Sequence, residues 1–111
     1  MKKILIIDDE QDLCLLLKTY LVPLQYDVHL AFTLKEGIQK IESISPDIVF
    51  LDNNLPDGIG WDKVNYIRTR LPDTTINLMS AYRGFPEELH SDTAIKFLEK
   101  PISLVALRRF L

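Results

Sequence analysis

Cysteine is nearly absent from this 111-residue chain, which has only Cys14. A lone cysteine excludes an intramolecular disulfide, and the lack of a Cys-x-x-Cys pair excludes a zinc ribbon. Long apolar runs are also absent. Apolar runs such as residues 4–7 are far too short to span a bilayer. Residues 4–7 lie near the N-terminus and are also too short for the apolar region of a signal peptide. We therefore expect a cytoplasmic protein that does not enter a membrane.

An excess of positive charge is missing as well. The chain has 13 Lys and Arg against 16 Asp and Glu, a formal net charge of -3. No general basic field is available to attract nucleic acid, so direct nucleic acid binding by this domain is not expected. Hydrophobic residues make up 47% of the chain, which excludes disorder and fits one folded domain.

Short apolar runs alternate with stretches of helical periodicity. Strands are predicted at 4–7, 26–32, 48–51, 75–79 and 95–98, and helices lie between them. Thr33 and Glu36 have the spacing of a capping box, which predicts the start of the second helix. The alternation predicts an α/β fold, with a parallel sheet covered by helices on both faces and all strand C-termini at one edge. Ligands bind at that edge in such folds.

Polar side chains follow four of the predicted strands directly. Asp8 and Asp9 follow the first strand, Asp52 the third, Ser80 the fourth and Lys100 the fifth. Taken singly, each could be a helix-terminal charge or a turn residue. Together, three carboxylates favour a divalent cation, while a lysine and a hydroxyl suit phosphoryl oxygens. The set predicts metal-assisted phosphoryl transfer onto an aspartate.

Four segments resemble the receiver domains of two-component response regulators. They are ILIIDDE at 4–10, DIVFLDNNLPDG at 47–58, SAY at 80–82 and FLEKP at 97–101, and the likeness covers essentially the whole chain. It implies a doubly wound, flavodoxin-like five-stranded sheet of order 2-1-3-4-5. It also implies a signalling function, in which a sensor histidine kinase or a phosphotransfer protein supplies a phosphoryl group.

The resemblance assigns the acidic residues to a phosphoacceptor and its metal. Asp52 matches the phosphoacceptor position and would also face the metal. Asp9 would bind Mg²⁺ directly, Asp8 would hold a metal-bound water, and the backbone carbonyl of Asn54 would add a further ligand. Mn²⁺ could substitute for Mg²⁺.

The resemblance assigns the remaining site residues to the phosphoryl group and to the switch. Ser80 would bond a phosphoryl oxygen, and Lys100 would pair with Asp52 and then with the phosphoryl group. Phe97 matches the switch aromatic, which turns inward when Ser80 moves. Pro101 is expected to follow a cis peptide bond. The implied output is a change at the face formed by the fourth helix, the fifth strand and the fifth helix.

Two segments depart from the family pattern. The candidate fourth helix at 86–91 has only Leu89 as an apolar anchor, so we expect it to be short, mobile or irregular; a full helix shifted by one turn is the alternative. The fifth helix, beginning after Ser103, is expected to be truncated at Leu111. We expect residues 1–111 to be the N-terminal part of a larger regulator with an output domain beyond Leu111, acting as a monomer or a weak, phosphorylation-dependent homodimer.

Two other function classes remain open from the sequence. A haloacid-dehalogenase-like phosphatase also uses an aspartate at a strand end, but Asp8 to Glu10 match its Asp-x-Asp motif poorly. A receiver that works by protein contact alone, without phosphorylation, is the other alternative.

Overall fold

The computed structural model of the protein describes residues 1–81 and 84–111. Five strands form one parallel sheet, and their order is β2-β1-β3-β4-β5, as the sequence resemblance predicted. The strands are β1 (Lys3–Ile7), β2 (Asp27–Ala31), β3 (Ile48–Asp52), β4 (Thr75–Ser80) and β5 (Ile95–Glu99). All five residues of β3 are buried, because this central strand is covered on both faces.

Within the described residues, four α-helices cover the two faces of the sheet: α1 (Gln11–Leu21), α2 (Leu34–Ile44), α3 (Val64–Arg70) and α4 (Leu104–Leu107). On one face, Cys14, Leu17 and Leu21 of α1 and Leu107 of α4 pack against alternate strand residues. On the other face, α2 and α3 contribute Ile41 and Ile67 to a second core. The predicted doubly wound arrangement is therefore confirmed.

The start of α2 confirms the N-cap predicted at Thr33 and adds a partner from a distant loop. The Thr33 hydroxyl accepts the N–H of Glu36 at 3.1 Å. The two carboxylate oxygens of Asp57 accept the N–H groups of Leu34 and Lys35 at 2.8 and 2.9 Å. These bonds satisfy N–H groups that have no partner within the helix, and they place a negative charge at the positive end of its dipole.

The connection after β3 contains a short hairpin, in which Asn54–Leu55 pairs antiparallel with Gly58–Ile59. A 3₁₀ turn at Gly60–Lys63 then precedes α3, so that Trp61 lies in this turn and not in the α-helix. Periodicity of apolar residues does not distinguish a tight first turn from an α-helix.

The segment between β4 and β5 is short, as expected. The described residues 84–94 contain a single 3₁₀ turn at Glu87–Leu89 and no α-helix, which rules out the shifted full helix. Tyr82, the third residue of the SAY motif, lies outside the described residues. The chain ends with α4 and a 3₁₀ turn at Arg108–Phe110, and the Ser103 hydroxyl caps α4 at the N–H of Ala106. None of the helices in the described ranges is long and apolar enough to cross a membrane.

Candidate functional site

The polar residues predicted from the strand ends lie at one edge of the sheet. Asp8 follows β1, Asp52 ends β3, Ser80 ends β4 and Lys100 follows β5. The register of the sheet brings these ends together, because Ile7 pairs with Leu51, Asp52 with Met79, and Ser80 with Glu99. The prediction that parallel strands deliver their terminal side chains to one place is thus confirmed.

Asp8 is the most buried acid at this edge and has no solvent-exposed surface. Its backbone N–H donates to the carbonyl of Ala31 at 3.0 Å, which extends the pairing of β1 with β2 by one residue. Its Oδ1 accepts the backbone N–H of Glu10 at 2.9 Å. Asp8 is therefore fixed in place by the backbone on both sides, whereas Asp9 is exposed to solvent.

Lys100 bridges the carboxylates. Its Nζ lies 2.7 Å from Asp8 Oδ2, 3.0 Å from Glu10 Oε1 and 3.3 Å from Asp52 Oδ1. Its side chain is only 11% exposed, so the ion pairs with the buried Asp8 and Asp52 are largely shielded from water, whereas Glu10 is exposed. The N–H of Lys100 donates to the carbonyl of Ser80 at 2.8 Å, and this bond fixes the backbone from which the side chain starts.

The pKa values of Asp52 and Lys100 are both raised above their ordinary values, but for different reasons. Burial, and then the negative charge of Asp8, raise the pKa of Asp52 to about 6. Burial alone would lower the pKa of Lys100, but hydrogen bonds with Asp8 and Glu10 and the nearby negative charges raise it above its ordinary value. Lys100 is therefore charged at neutral pH, and the single ammonium group compensates only part of the surrounding negative charge.

The donor set fits a divalent cation. One carboxylate oxygen each from Asp8, Asp9 and Asp52 can be chosen so that all three lie within 4.8 Å of one another. Oxygen ligands of this kind are those that Mg²⁺ prefers, usually together with waters. Two of the three acids are buried and one is exposed, which leaves one side of the cluster open to solvent. Asn54 is exposed in the hairpin two residues beyond Asp52.

The other predicted site residues lie beside this cluster. Ser80 is buried at the end of β4. Phe97 is half-buried on β5 and pairs with Leu78 of β4. Two residues further along these strands, Ser80 pairs with Glu99, so the side chains of both pairs are on the same face of the sheet. The peptide bond between Lys100 and Pro101 is cis, the isomer that the resemblance implies.

Residues 4–111 match the family of the response regulator receiver domain. The chain belongs to this family. The match extends over every strand and helix except the first residue of β1, so the receiver domain accounts for the whole fold described above.

Relatives of this receiver domain agree in sequence and in structure. The response regulator protein PilR of Pseudomonas aeruginosa is 35% identical over 109 residues, which cover 96% of this chain and 24% of PilR. The receiver therefore spans about a quarter of the length of this curated relative. A two-component response regulator from Clostridium difficile has a TM-score of 0.86 at 32% identity, covering 98% of this chain and 91% of that one. The response regulator TrrA from Thermotoga maritima, solved in complex with Mg(2+)-BeF, has a TM-score of 0.80 at 30% identity, covering 98% and 95%.

Gly60 is a positioning residue of the receiver that the sequence pattern did not single out. A Cβ atom at this position would lie 2.0 Å from the backbone oxygen of Asp52, a separation that no side chain can accept. Its N–H donates to the carbonyl of Asn53 at 2.8 Å. Glycine therefore lets the turn before α3 pack directly on the backbone of Asp52. Only the closeness of two segments in space reveals this role.

Cys14 lies beneath the site and has a structural role. Its Sγ donates to the backbone carbonyl of Asp8 at 3.3 Å. Burial, followed by the negative charge of Asp8, raises the pKa of the thiol to about 12. The thiol therefore stays protonated at neutral pH and is not a nucleophile, because the thiolate is the reactive form.

Proposed function

We propose that this receiver domain accepts a phosphoryl group on Asp52 and acts as a signalling phosphoacceptor, not as a turnover enzyme. The observation that carries the proposal is the position of Lys100, whose ammonium group lies between the buried carboxylates of Asp8 and Asp52. A fixed positive charge there compensates the negative charge that a phosphoryl group brings to Asp52. The phosphoryl donor in this proposal is a phosphohistidine of a sensor kinase or of a phosphotransfer protein.

The chemical step is an in-line transfer between two residues. A carboxylate oxygen of Asp52 forms a bond to phosphorus, while the bond from phosphorus to the imidazole nitrogen of the donor breaks and its electron pair stays on that nitrogen. With the other ring nitrogen of the phosphohistidine protonated before the transfer, the products are an acyl phosphate on Asp52 and a neutral histidine on the donor. Asp52 must be ionised for this attack, and a pKa of about 6 leaves most of it ionised at neutral pH.

Two residues of this chain would stabilise the transferred group. Lys100 is charged and lies near enough to turn from the carboxylate of Asp52 to a phosphoryl oxygen. Ser80 ends the neighbouring strand, and its hydroxyl would donate to another phosphoryl oxygen. Phe97, on the next strand and the same sheet face, would turn inward when Ser80 moves.

A divalent cation belongs to this proposal. Asp8, Asp9 and Asp52, with the backbone carbonyl of Asn54, would hold Mg²⁺ or Mn²⁺ directly or through water. The ion would neutralise the carboxylates and the charge of the incoming phosphoryl group. TrrA, a relative at 30% identity, was solved with Mg(2+)-BeF, which supports this assignment.

The output of the switch is also part of the proposal. The added charge at Asp52 would bias the face formed by the turn at Glu87–Leu89, by β5 and by α4 between two conformations. An output domain or a partner would read that face, as the fourfold greater length of PilR suggests. We propose a cytoplasmic protein, monomeric or weakly dimeric when phosphorylated, in which this domain does not itself bind nucleic acid.

Acetyl phosphate tests the proposal without a cognate kinase. The protein is incubated with Mg²⁺ and acetyl phosphate, and its intact mass is measured beside that of Asp52→Asn and of Asp47→Asn. We expect one phosphoryl adduct on the wild type and on Asp47→Asn, whose acid lies before β3 at the opposite edge of the sheet, and none on Asp52→Asn. Continuous release of phosphate without an adduct would indicate a phosphatase, and no reaction with any donor would indicate a contact-only receiver.

A further inference from the structure

Four aromatic rings lie in contact between the loop after β3 and the turn at Glu87–Leu89. The centroids of Trp61 and Phe85 are 5.1 Å apart with an interplanar angle of 26°. Phe85 and Phe97 are 4.9 Å apart at 55°, and His90 stacks on Phe97 at 4.3 Å and 19°. We name these four residues the aromatic chain. Both the stacked and the tilted arrangements are favourable geometries for ring pairs.

One end of the aromatic chain is hydrogen-bonded to the residue that follows Asp52. The backbone N–H of Trp61 donates to Asn53 Oδ1 at 3.4 Å, and the N–H of Gly60 donates to the carbonyl of Asn53. Asn53 follows Asp52 directly. A displacement of the backbone at Asp52 would therefore be transmitted to Trp61 through two hydrogen bonds.

The other end of the aromatic chain lies at the surface. His90 is exposed, and its backbone N–H donates to the carbonyl of Glu87, which closes the 3₁₀ turn. Leu89 of the same turn packs against the core beneath α2 and α3. The turn is therefore attached to the sheet through Leu89 and through the stack of His90 on Phe97.

Phe97 is the ring that both Phe85 and His90 contact, and it is half-buried. A half-buried ring with two ring partners has its position set by those partners as well as by the core. If Phe97 turned inward toward the end of β4, as the proposed function requires, it would leave His90 and change its contact with Phe85.

We propose that Phe85 and His90 are positioning residues that hold Phe97 in its half-buried position and so oppose phosphorylation-dependent switching. The inference rests on the proposed function and extends it to two residues outside the Asp52 site. The stacks stabilise only the state in which Phe97 faces the turn, so they shift the equilibrium toward that state. Inward rotation of Phe97 breaks the stack with His90 and releases the turn at Glu87–Leu89 for contact with a partner.

Binding of beryllofluoride with Mg²⁺ tests this inference. The concentration that half-saturates the Asp52 site is measured from backbone amide NMR signals near Asp52 in the wild type, Phe85→Leu and His90→Gln. Each substitution removes one ring partner of Phe97. We therefore expect the half-saturating concentration to fall by about 2- to 12-fold, the fold-change that corresponds to the stabilisation by one pair of rings. His90 is exposed, so His90→Gln tests the inference even if Phe85→Leu folds poorly.

Tyr66→Leu is the matched control, because Tyr66 is a partly buried ring packed against the same core that makes no ring contact with Phe97 among the described residues. Its half-saturating concentration should equal that of the wild type. In the wild type, the amide signals of residues 87–90 should shift together with those near Asp52.

Three outcomes would overturn the inference. Equal half-saturation in the wild type, His90→Gln and Phe85→Leu would show that the stacks do not oppose switching. A response near Asp52 without one at residues 87–90 would show that the turn is not coupled to the site. In both cases the proposed function survives. A wild type that neither binds beryllofluoride nor forms a phosphoryl adduct would remove the proposed function and this inference with it.

Discussion

Gly60 lies against Asp52 so closely that a Cβ on the glycine would be 2.0 Å from the aspartate's backbone oxygen. The contact joins the turn before α3 to the last residue of β3, and this turn also contains Trp61. The position of Asp52 is therefore set by a neighbouring turn as well as by the sheet. This close contact is possible because residue 60 is a glycine and has no side chain.

Gly60→Ala should destabilise the fold and displace Asp52. The added methyl group meets backbone and not a flexible side chain, so β3 or the turn must shift, at a cost of about 1–3 kcal/mol or more. Denaturant unfolding measures the loss of stability, and the acetyl phosphate reaction measures the loss of function. Gly58→Ala is the control, because its Cβ would meet only the end of the Leu34 side chain, at 3.1 Å. Equal effects of both substitutions would refute the special role of Gly60.

Lys100→Met should destabilise the metal-free protein at pH 7 and slow phosphorylation. The substitution leaves the buried carboxylates of Asp8 and Asp52 without their shared cation, which costs about 3 kcal/mol for a largely buried pair. Urea unfolding in a chelator measures the cost, with exposed Lys18→Met as the control. We expect the deficit to shrink at pH 5, where Asp52 becomes protonated. A deficit independent of pH would contradict this electrostatic origin.

Asp52→Asn should stabilise the metal-free protein at pH 7. Because burial and Asp8 raise the pKa of Asp52 to about 6, the folded protein keeps a proton that the unfolded chain loses near pH 4. Between these values the contribution of Asp52 to stability falls as pH rises, by up to about 3 kcal/mol. Asparagine removes this loss, so we expect a gain of about 1–3 kcal/mol in a chelator at pH 7.

The control for Asp52→Asn is the exposed acid Asp73, which lies before β4. Asp73→Asn should leave the unfolding free energy nearly unchanged. The wild type and Asp52→Asn should approach each other as pH falls toward 4. A gain that is the same at pH 4 and pH 7 would show that ionisation of Asp52 is not the cause.

Asp57→Asn should weaken the start of α2. The backbone N–H groups of Leu34 and Lys35 hold the pKa of Asp57 below its ordinary value, so its contribution to stability is complete above the unfolded pKa and is lost as pH falls through the folded one. We expect a lower Tm for Asp57→Asn at pH 7 and a smaller difference at pH 3. Asp62→Asn, an exposed acid after the same hairpin, should change Tm little. A Tm difference that persists at low pH would contradict the assignment.

The sequence determined the fold because its signals are local and repeated. Buried apolar strands alternate with amphipathic helices, and the capping box of Thr33 and Glu36 marks the start of α2. The acids and the lysine at the strand ends were also predictable, since parallel strands place their C-terminal residues at one edge. The short turn in place of a full fourth helix followed from a segment with a single apolar anchor.

Contacts between segments that are distant in the chain depend on the tertiary structure and could not be predicted from the sequence. The carboxylate of Asp57 binds the start of α2, Gly60 packs on the backbone of Asp52, and Phe97 meets Phe85 and His90. Lys100 also lies closer to Asp8 than to Asp52. None of these contacts has a periodic or local signal in the sequence, because each depends on how loops and turns pack against the sheet and the helices. Sequence spacing therefore identifies the polar residues at the strand ends, and packing sets which of them are in contact.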